Sequence, residues 1–488
     1  MGATSPRRQD RGAFWLARRS SCHYIPPMIT PPRIEPPRRP LSIPEVIRAA
    51  RSNLIEIIPG LAYQQPMVSG RTIARWHMLQ DPEGLERVFK DKVGIYPKSD
   101  VSLRLLRPAI GDSLFVAEGA HWRWQRRAAA PVFQYRNLIA LAPFMTRAAD
   151  RTLHRLDAAD GSADLYQEMV TATFDVISEV AMSGDKAIDR DAVSHSVTGY
   201  IETVGRVSLF DVLAVPTWIP RPAQIFNRSG ISAMQEMMDR VIAERAKAPR
   251  RDDLMSLMLE ASDPETGRAM TPEELRDNML AFLVAGHETT ALALSWAIYL
   301  AACDPKVQDR LAEEARAACG DGPAEAAHLD RLGYAKQVIE EAMRLYPPAG
   351  MLSRTARAED EICGRQIRTG DTVILPIYAL HRHRLWWENA DQFDPENFSP
   401  AKVKGRNRYL FLPFGAGPRI CIGMNFALIE AQIILSSLMA RYRFAPVAGQ
   451  TPRPEMVMTL RPAGGVQLRV TKRDSRGIAT VKAPAAAV

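Results

Sequence analysis

A single cysteine near the C-terminal end of the chain has neighbours that could make it a metal ligand. Cys421 follows a stretch, Phe414 to Ile420, that combines glycines, a proline and Arg419, and an apolar helical pattern begins just after it. The positive end of a helix dipole favours the thiolate, which is the form of cysteine that binds metals. Glycines let the backbone approach a flat group closely, and arginine binds carboxylates well. The stretch therefore predicts a haem held by a cysteine thiolate.

The spacing within this stretch resembles the haem-ligand loop of the cytochrome P-450 family. The motif Phe-x-x-Gly-x-Arg-x-Cys-x-Gly is matched at Phe414, Gly417, Arg419, Cys421 and Gly423. Such a match is specific, whereas a buried structural cysteine is the ordinary alternative. A dinucleotide-binding glycine motif fails because its third glycine would fall on Ile420. The resemblance implies haem b with Cys421 as the axial iron ligand and the other motif residues around the cofactor.

The run Met279–Cys303 is almost uninterrupted in its apolar character. Its length would suit a transmembrane helix, but a charged Glu288 near its middle would be costly in a bilayer. A helix that is apolar on all faces can equally be the central helix of a large soluble protein. We therefore expect a central core helix and no transmembrane segment.

The polar centre of this run resembles the oxygen-activating stretch of the same family. The resemblance implies that Ala285 and Gly286 leave room for dioxygen, that Thr289 stabilises iron-bound peroxide, and that Glu288 supplies protons. Threonines beside a glycine also compete for helix carbonyls and open the helix locally. The alternative is a capped kink in a core helix.

Arginines elsewhere in the chain match the family's contacts to the haem propionates. The pattern Trp122-x-x-x-Arg126 resembles the propionate-binding helix, and Arg354 matches a further contact. Two or more charge-assisted hydrogen bonds would hold each carboxylate. The alternative for both arginines is an ordinary solvated surface charge.

Glu341 and Arg344 lie on one face of a predicted helix and resemble the family's Glu-x-x-Arg pair. In the family this pair joins a further arginine to support the haem loop, which is a structural role. Here Asn397 stands where that arginine is commonest. The resemblance therefore leaves the third partner of the pair open.

Composition limits the classes of function. The 488 residues carry a formal charge of +8, and the first 50 contain nine arginines against three acids. The remainder is nearly neutral, which argues against a nucleic-acid binder. Five scattered cysteines indicate a reducing compartment rather than a disulfide framework. We expect a soluble, cytoplasmic protein.

The order of elements predicts a mainly α protein with small β-sheets, as in the triangular-prism-like cytochrome P-450 fold. Residues 1–40 are rich in proline and arginine and predict a disordered leader, 41–472 one haem domain, and 473–488 a flexible tail. Residues 92–118 are expected to be loop-like. The apolar, proline-broken residues 205–224 are expected to form a mobile loop at the substrate pocket.

The resemblance implies a haem-thiolate monooxygenase that inserts one oxygen atom of dioxygen into an apolar substrate. The chain has no flavin, Rossmann or iron–sulfur motif, so we expect electrons from a separate ferredoxin or flavodoxin with its NAD(P)H-dependent reductase. A peroxide-driven enzyme on the same fold and a non-enzymatic haem sensor are the alternatives. Fatty acids, terpenoids and steroids all remain open as substrates, and Arg104 or Arg107 could bind a fatty-acid carboxylate.

Overall fold

The computed structural model describes residues 29–72, 74–182 and 228–473, and helices dominate these ranges. The helices are α1 (Ile43–Ser52), α2 (Pro82–Glu86), α3 (Asp100–Ile110), α4 (Gly119–Ala129), α5 (Tyr135–Ala158), α6 (Leu165–Met182), α7 (Arg228–Arg245), α8 (Leu254–Leu259), α9 (Pro272–Cys303), α10 (Pro305–Cys319), α11 (Gly333–Leu345), α12 (Ile377–Leu380), α13 (Pro400–Gly405) and α14 (Met424–Arg441). The mainly helical class predicted from the sequence is confirmed.

The strands are short and form small sheets between the helices. They are β1 (Met67–Arg71), β2 (Arg75–Leu79), β3 (Ser162–Asp164), β4 (Leu352–Thr355), β5 (Asp360–Ile362), β6 (Arg365–Ile367), β7 (Thr372–Leu375), β8 (Tyr442–Pro446), β9 (Arg453–Met456), β10 (Leu460–Ala463) and β11 (Gln467–Lys472). The largest sheet has the order β1-β2-β7-β4, with β2 and β7 parallel and the other pairs antiparallel. The sheets β3-β11-β8, β9-β10 and β5-β6 are antiparallel.

The long central helix α9 is defined by its first turn and by its burial. Thr271 caps it and forms a capping box with Glu274, and Pro272 occupies the first turn, where its missing N–H costs nothing. The helix packs against α6, α11 and α14. Trp296 is fully buried and stacks on Tyr346, with 3.7 Å between the ring centroids. The interpretation of this run as a core helix is therefore confirmed.

By length and composition, α9 is the one helix in the described ranges that could span a membrane. Of its most apolar window, 72% is buried inside the domain. Its apolar residues are thus already covered by protein.

The expectation of a loop over residues 92–118 is wrong for the middle of that segment, where α3 forms. Ser99 caps the helix by accepting a hydrogen bond from the Ser102 amide at 3.3 Å. Pro108 lies in the last turn, where it shortens the helix without preventing it. The mixture of polar and apolar residues led to the prediction of a loop instead of this helix.

Part of the expected leader contacts the domain. Ile29 and Ile34 pack against the main core, and the Tyr346 hydroxyl donates to the Pro32 carbonyl at 2.6 Å. Arg33 pairs with Asp391. The packed chain thus includes residues 29–40, while residues 1–28, the expected mobile loop at 205–224 and the tail from 474 onward lie outside the described residues.

Candidate functional site

The cysteine loop is held in shape by its own backbone. The Cys421 amide donates to the Phe414 carbonyl at 3.0 Å, which closes the loop. Gly415 and Gly417 have φ angles of +70° and +68°, a conformation that favours glycine. A Cβ at Gly417 would lie 2.0 Å from the Phe89 carbonyl oxygen, so the loop packs directly on that backbone. The glycine spacing of the motif therefore has a steric reason.

The Cys421 thiol remains accessible within a recess of surrounding protein atoms. Desolvation in this recess raises the pKa of the thiol, although the Gly423 amide and the charge of Arg126 act in the opposite direction. The stabilisation of the thiolate expected at the helix start is present in the contribution of the Gly423 amide, although desolvation outweighs it. A bound metal cation would reverse the balance, since a coordinating thiol loses its proton.

Arg419 joins the cysteine loop to the start of α4. Its guanidinium donates to the Ala117 carbonyl at 3.0 Å, pairs with Glu118 and stands 4.4 Å from the centre of the Trp122 ring. Desolvation lowers the pKa of Arg419, and Glu118 opposes this shift. The structure thus brings together two residues, Arg419 and Trp122, that the sequence placed at the same site.

Two further cations lie beside this group. Lys98 and Arg354 form an isolated antiparallel β-bridge, and the Lys98 amide donates to Glu118 at 3.2 Å. Desolvation, reinforced by the charge of Arg419, lowers the pKa of Lys98 to about 7 and that of Arg354 to about 10. Sequence reasoning missed both Lys98 and Glu118, because neither belongs to the quoted motifs.

Arg126 interacts electrostatically with the cysteine. Its pKa is lowered by desolvation, and Cys421 acts in the opposite direction. Lys98, Arg354 and Arg419 form a cluster of three basic side chains near Glu118, and Arg126 adds a fourth positive charge at Cys421. The excess positive charge in partly desolvated surroundings suits a ligand with two carboxylates.

The polar centre of α9 lies on its accessible side. Ala285 is exposed, and the Thr289 hydroxyl donates to the Ala285 carbonyl at 2.8 Å. The Thr173 hydroxyl on α6 donates to the His287 carbonyl at 2.6 Å. The expected competition of threonine side chains for helix carbonyls is therefore present. A Cβ at Gly286 would meet Ile177 at 3.4 Å, so α6 passes close to this part of α9.

Glu288 points away from solvent and forms an ion pair. It is 4% exposed, and both Nε and Nη2 of Arg461 lie 2.6 Å from its Oε1. Arg461 belongs to β10 and is 173 residues away along the chain. No local pattern could have predicted this partner. A proton-supplying role for Glu288 must therefore operate from within an ion pair.

The supporting pair Glu341–Arg344 is fully buried. Arg344 donates twice to Glu341 at 2.7 Å, and its other hydrogen bonds go to the carbonyls of His381, Ala390 and Gln392 at 2.7–2.9 Å. The Asn397 amide donates to Glu341 over longer distances of 3.3 and 3.4 Å. Asn397 thus takes the third place in this network, where the sequence had left the partner open.

These residues fit a haem. The donor set offers an accessible thiol at Cys421, the cluster of Lys98, Arg354 and Arg419 together with Arg126 for two propionates, and the side of α9 that carries the exposed Ala285 and the half-buried Thr289. The backbone contact at Gly417 leaves no room there for a side chain. A flat dianionic group with a metal at its centre satisfies each of these features.

Comparison with known proteins agrees with this chemistry. A family model described as Cytochrome P-450 matches residues 73–470. The chain belongs to the cytochrome P-450 family. It is 31% identical over 361 residues to cyclooctatin synthase of Streptomyces melanosporofaciens, covering 73% of this chain and 78% of the relative. It is also 31% identical over 404 residues to cytochrome P-450 4A6 of Oryctolagus cuniculus, covering 77% and 78%.

The structural comparison gives the same family. A crystal structure of a cytochrome P-450 haem domain superposes with a TM-score of 0.74 at 25% identity, covering 84% of this chain and 90% of the other. This cytochrome P-450 is therefore a haem enzyme of the monooxygenase class, with cysteine-thiolate ligation of the iron. The family requires an electron donor and takes apolar substrates.

Proposed function

We propose that this cytochrome P-450 oxygenates a neutral, apolar substrate of terpenoid or steroid type, with Cys421 as the axial ligand of its haem. When bound, the haem supplies the activation of dioxygen, from which one atom enters the substrate. The observation that carries the proposal is the meeting of an accessible Cys421, a cation cluster and the Thr289 side of α9 in one domain. The assignments of individual residues follow from their contacts.

The cation cluster is proposed to bind the two propionates. Arg126, Arg354, Arg419 and Lys98 supply the positive charge, and Trp122 supports Arg419 through its ring face. Carboxylates at this point would replace water lost from partly desolvated cations, which would raise their depressed pKa values. Phe414 and Gly417 shape the loop on the thiolate side.

Thr289 and Glu288 are proposed to move protons on the other side. The Thr289 hydroxyl lies one residue from Glu288 and is held by the Ala285 carbonyl. It can rotate to donate towards the space beside Ala285 and Gly286, where dioxygen would bind. Glu288 would take a proton from solvent after leaving Arg461 and pass it on towards Thr289.

The substrate proposal rests on the character of α3 and α9. Both helices carry partly buried apolar side chains, namely Leu103 and Leu106 on α3 and Phe282 and Val284 on α9. Arg107 lies 3.1 Å from Asp112, and the Arg104 Nε donates to the Asp100 carbonyl at 3.1 Å. Both arginines are thus already engaged at the surface, which favours a neutral substrate over a fatty acid.

The electron donor is proposed to be a separate ferredoxin or flavodoxin with its NAD(P)H-dependent reductase, because no quoted motif of the chain binds flavin or an iron–sulfur cluster. We place the enzyme in the cytoplasm, a proposal supported by the burial of α9 within the domain. NADH consumption with each surrogate donor would identify the partner type. Product formed with peroxide alone, and not with either donor, would favour the peroxide-driven alternative.

The first experiment is a Soret titration of the purified ferric enzyme. Neutral terpenoids and steroids are expected to shift the band towards high spin by displacing water from the iron, and long-chain fatty acids are not. The reduced carbon monoxide complex should show a thiolate spectrum that is lost in Cys421→His. A high-spin shift with a fatty acid that disappears in Arg104→Ala or Arg107→Ala would reject the neutral-substrate proposal.

A further inference from the structure

A buried carboxyl group outside the proposed reaction lies between two helices of the site. Glu430 on α14 is 2% exposed and hydrogen bonds to the side chain of Thr290 on α9, itself 3% exposed. The second carboxyl oxygen, Oε1, is buried and has no hydrogen-bond partner among the residues that the structure describes. Burying a carboxyl group costs free energy unless it is hydrogen bonded, so a half-bonded glutamate in the core calls for an explanation.

The position of this contact connects both sides of the site. Helix α14 begins at Met424, three residues after Cys421, and Glu430 lies in its second turn. Thr290 directly follows Thr289, and consecutive residues of a helix point about 100° apart. The Thr289 hydroxyl faces the Ala285 carbonyl on the accessible side, whereas Thr290 faces α14.

The protonation state of Glu430 follows from its surroundings. Desolvation raises the pKa of Glu430 well above its ordinary range, and the Thr290 hydrogen bond offsets only part of the effect. Burial therefore favours the protonated carboxyl group, which can both donate and accept a hydrogen bond. A neutral amide of the same shape could replace it.

We propose that Glu430 is a positioning residue that holds Thr290 against α14 and so fixes the α9 segment carrying Thr289 relative to the cysteine loop. Without the Glu430–Thr290 hydrogen bond this segment of α9 could shift. The Thr289 hydroxyl would then no longer be held in the position from which it delivers protons. The inference rests on the proposed proton-delivering role of Thr289. It adds a residue that touches neither the haem nor the substrate.

The test compares Glu430→Leu, Glu430→Gln, Thr290→Val and the double variant Glu430→Leu/Thr290→Val. Glu430→Leu and Thr290→Val are each expected to raise the peroxide released per NADH consumed roughly fivefold. Each variant loses the one hydrogen bond that holds the α9 segment carrying Thr289. KM for the substrate should not change. Glu430→Gln should release as little peroxide per NADH as the wild type. The double variant should release no more peroxide per NADH than either single variant. We call a low ratio of peroxide to NADH good coupling.

Ser436→Ala is the matched control, because Ser436 lies on α14, is 1% exposed and has a hydroxyl with no hydrogen-bond partner in the part of the chain that the structure describes. It should leave coupling unchanged. Wild-type coupling in Thr290→Val, or additive effects in the double variant, would overturn the proposal. If Glu430→Leu fails to fold, Thr290→Val and Glu430→Gln still decide. The reduced carbon monoxide spectrum reports thiolate ligation separately, so loss of the proposed haem site would be distinguished from loss of positioning.

Discussion

Two buried glutamate–arginine pairs in the same domain differ in the burial of their side chains and in the elements that they join. Glu341 and Arg344 are both 0% exposed, and Arg344 also donates to three backbone carbonyls. Glu288 and Arg461 are 5% and 16% exposed, and their side chains join α9 to β10. The first pair lies within α11 and is surrounded by groups from residues 381–397, whereas the second joins two different elements.

We infer from this difference that one ion pair stabilises the fold and that the other takes part in the reaction. A buried ion pair repays its desolvation only when further hydrogen bonds satisfy both partners, as they do around Arg344. Such a network fixes the backbone. The Glu288–Arg461 ion pair links α9 to a short β-hairpin, so we expect it to open at a smaller free-energy cost. Such opening would allow Glu288 to exchange protons. We therefore expect substitutions at the two pairs to separate stability from turnover.

The largest effect on stability is expected from Glu341→Gln. The change leaves the buried Arg344 charge unpaired, which costs about 3–5 kcal/mol. Thermal unfolding followed by circular dichroism should show the loss, and little haem should be retained on purification. Glu396→Gln, which removes the exposed partner of Arg310, is the control and should cost at most about 1 kcal/mol. Equal melting temperatures for both variants would contradict the structural role of Glu341.

Glu288→Gln should reduce turnover and leave the stability of the domain nearly unchanged, the opposite of Glu341→Gln. We expect product formation to fall at least about tenfold, because the amide cannot exchange protons, while haem retention stays near that of the wild type. Product yield and peroxide release per NADH measure the effect. A variant that keeps normal turnover would exclude Glu288 from proton delivery.

The contrast also shows what the sequence could predict. The cysteine loop, the Thr289 stretch and the Glu341–Arg344 pair are local patterns, because residues a few positions apart must meet on one loop or helix face. The partner of Glu288 is not local, since Arg461 reaches it from β10. Lys98 belongs to no motif and joins the cation cluster only through its bridge to Arg354. Long-range pairing of single side chains leaves no periodicity in the sequence.

The same limit explains the incorrect expectation of a loop over residues 92–118. Helix α3 was not predicted because Ser99 and Pro108 are also typical of loops. At Cys421 the contribution of the helix start could be predicted from the sequence, whereas the desolvation that raises the pKa of the thiol could not. Burial is a property of the assembled fold.

Arg461→Gln should have an intermediate effect. It leaves the buried Glu288 without its positively charged partner, and an unpaired buried charge is costly. We expect turnover to fall about threefold. Arg461→Lys, which keeps the charge, is the control. Turnover equal to that of the wild type would show that the ion pair does not influence the role of Glu288.

The smallest effect is expected at Asn397, and it tests whether the Glu341 network is complete. Asn397→Ala removes two long hydrogen bonds of 3.3 and 3.4 Å to Glu341 and one of 3.4 Å from Lys402, while the Asn397 carbonyl keeps its contact with Arg406. A loss of about 0.5–1 kcal/mol in the free energy of unfolding is therefore expected from denaturant titration. Asn397→Arg should not stabilise the domain, because Arg344 already pairs with Glu341 and Arg406 lies nearby, so another cation would meet like charges. If Asn397→Arg stabilises the domain by more than about 1 kcal/mol, Glu341 still lacks a partner. The Glu341–Arg344 and Glu288–Arg461 pairs would then differ less than we infer.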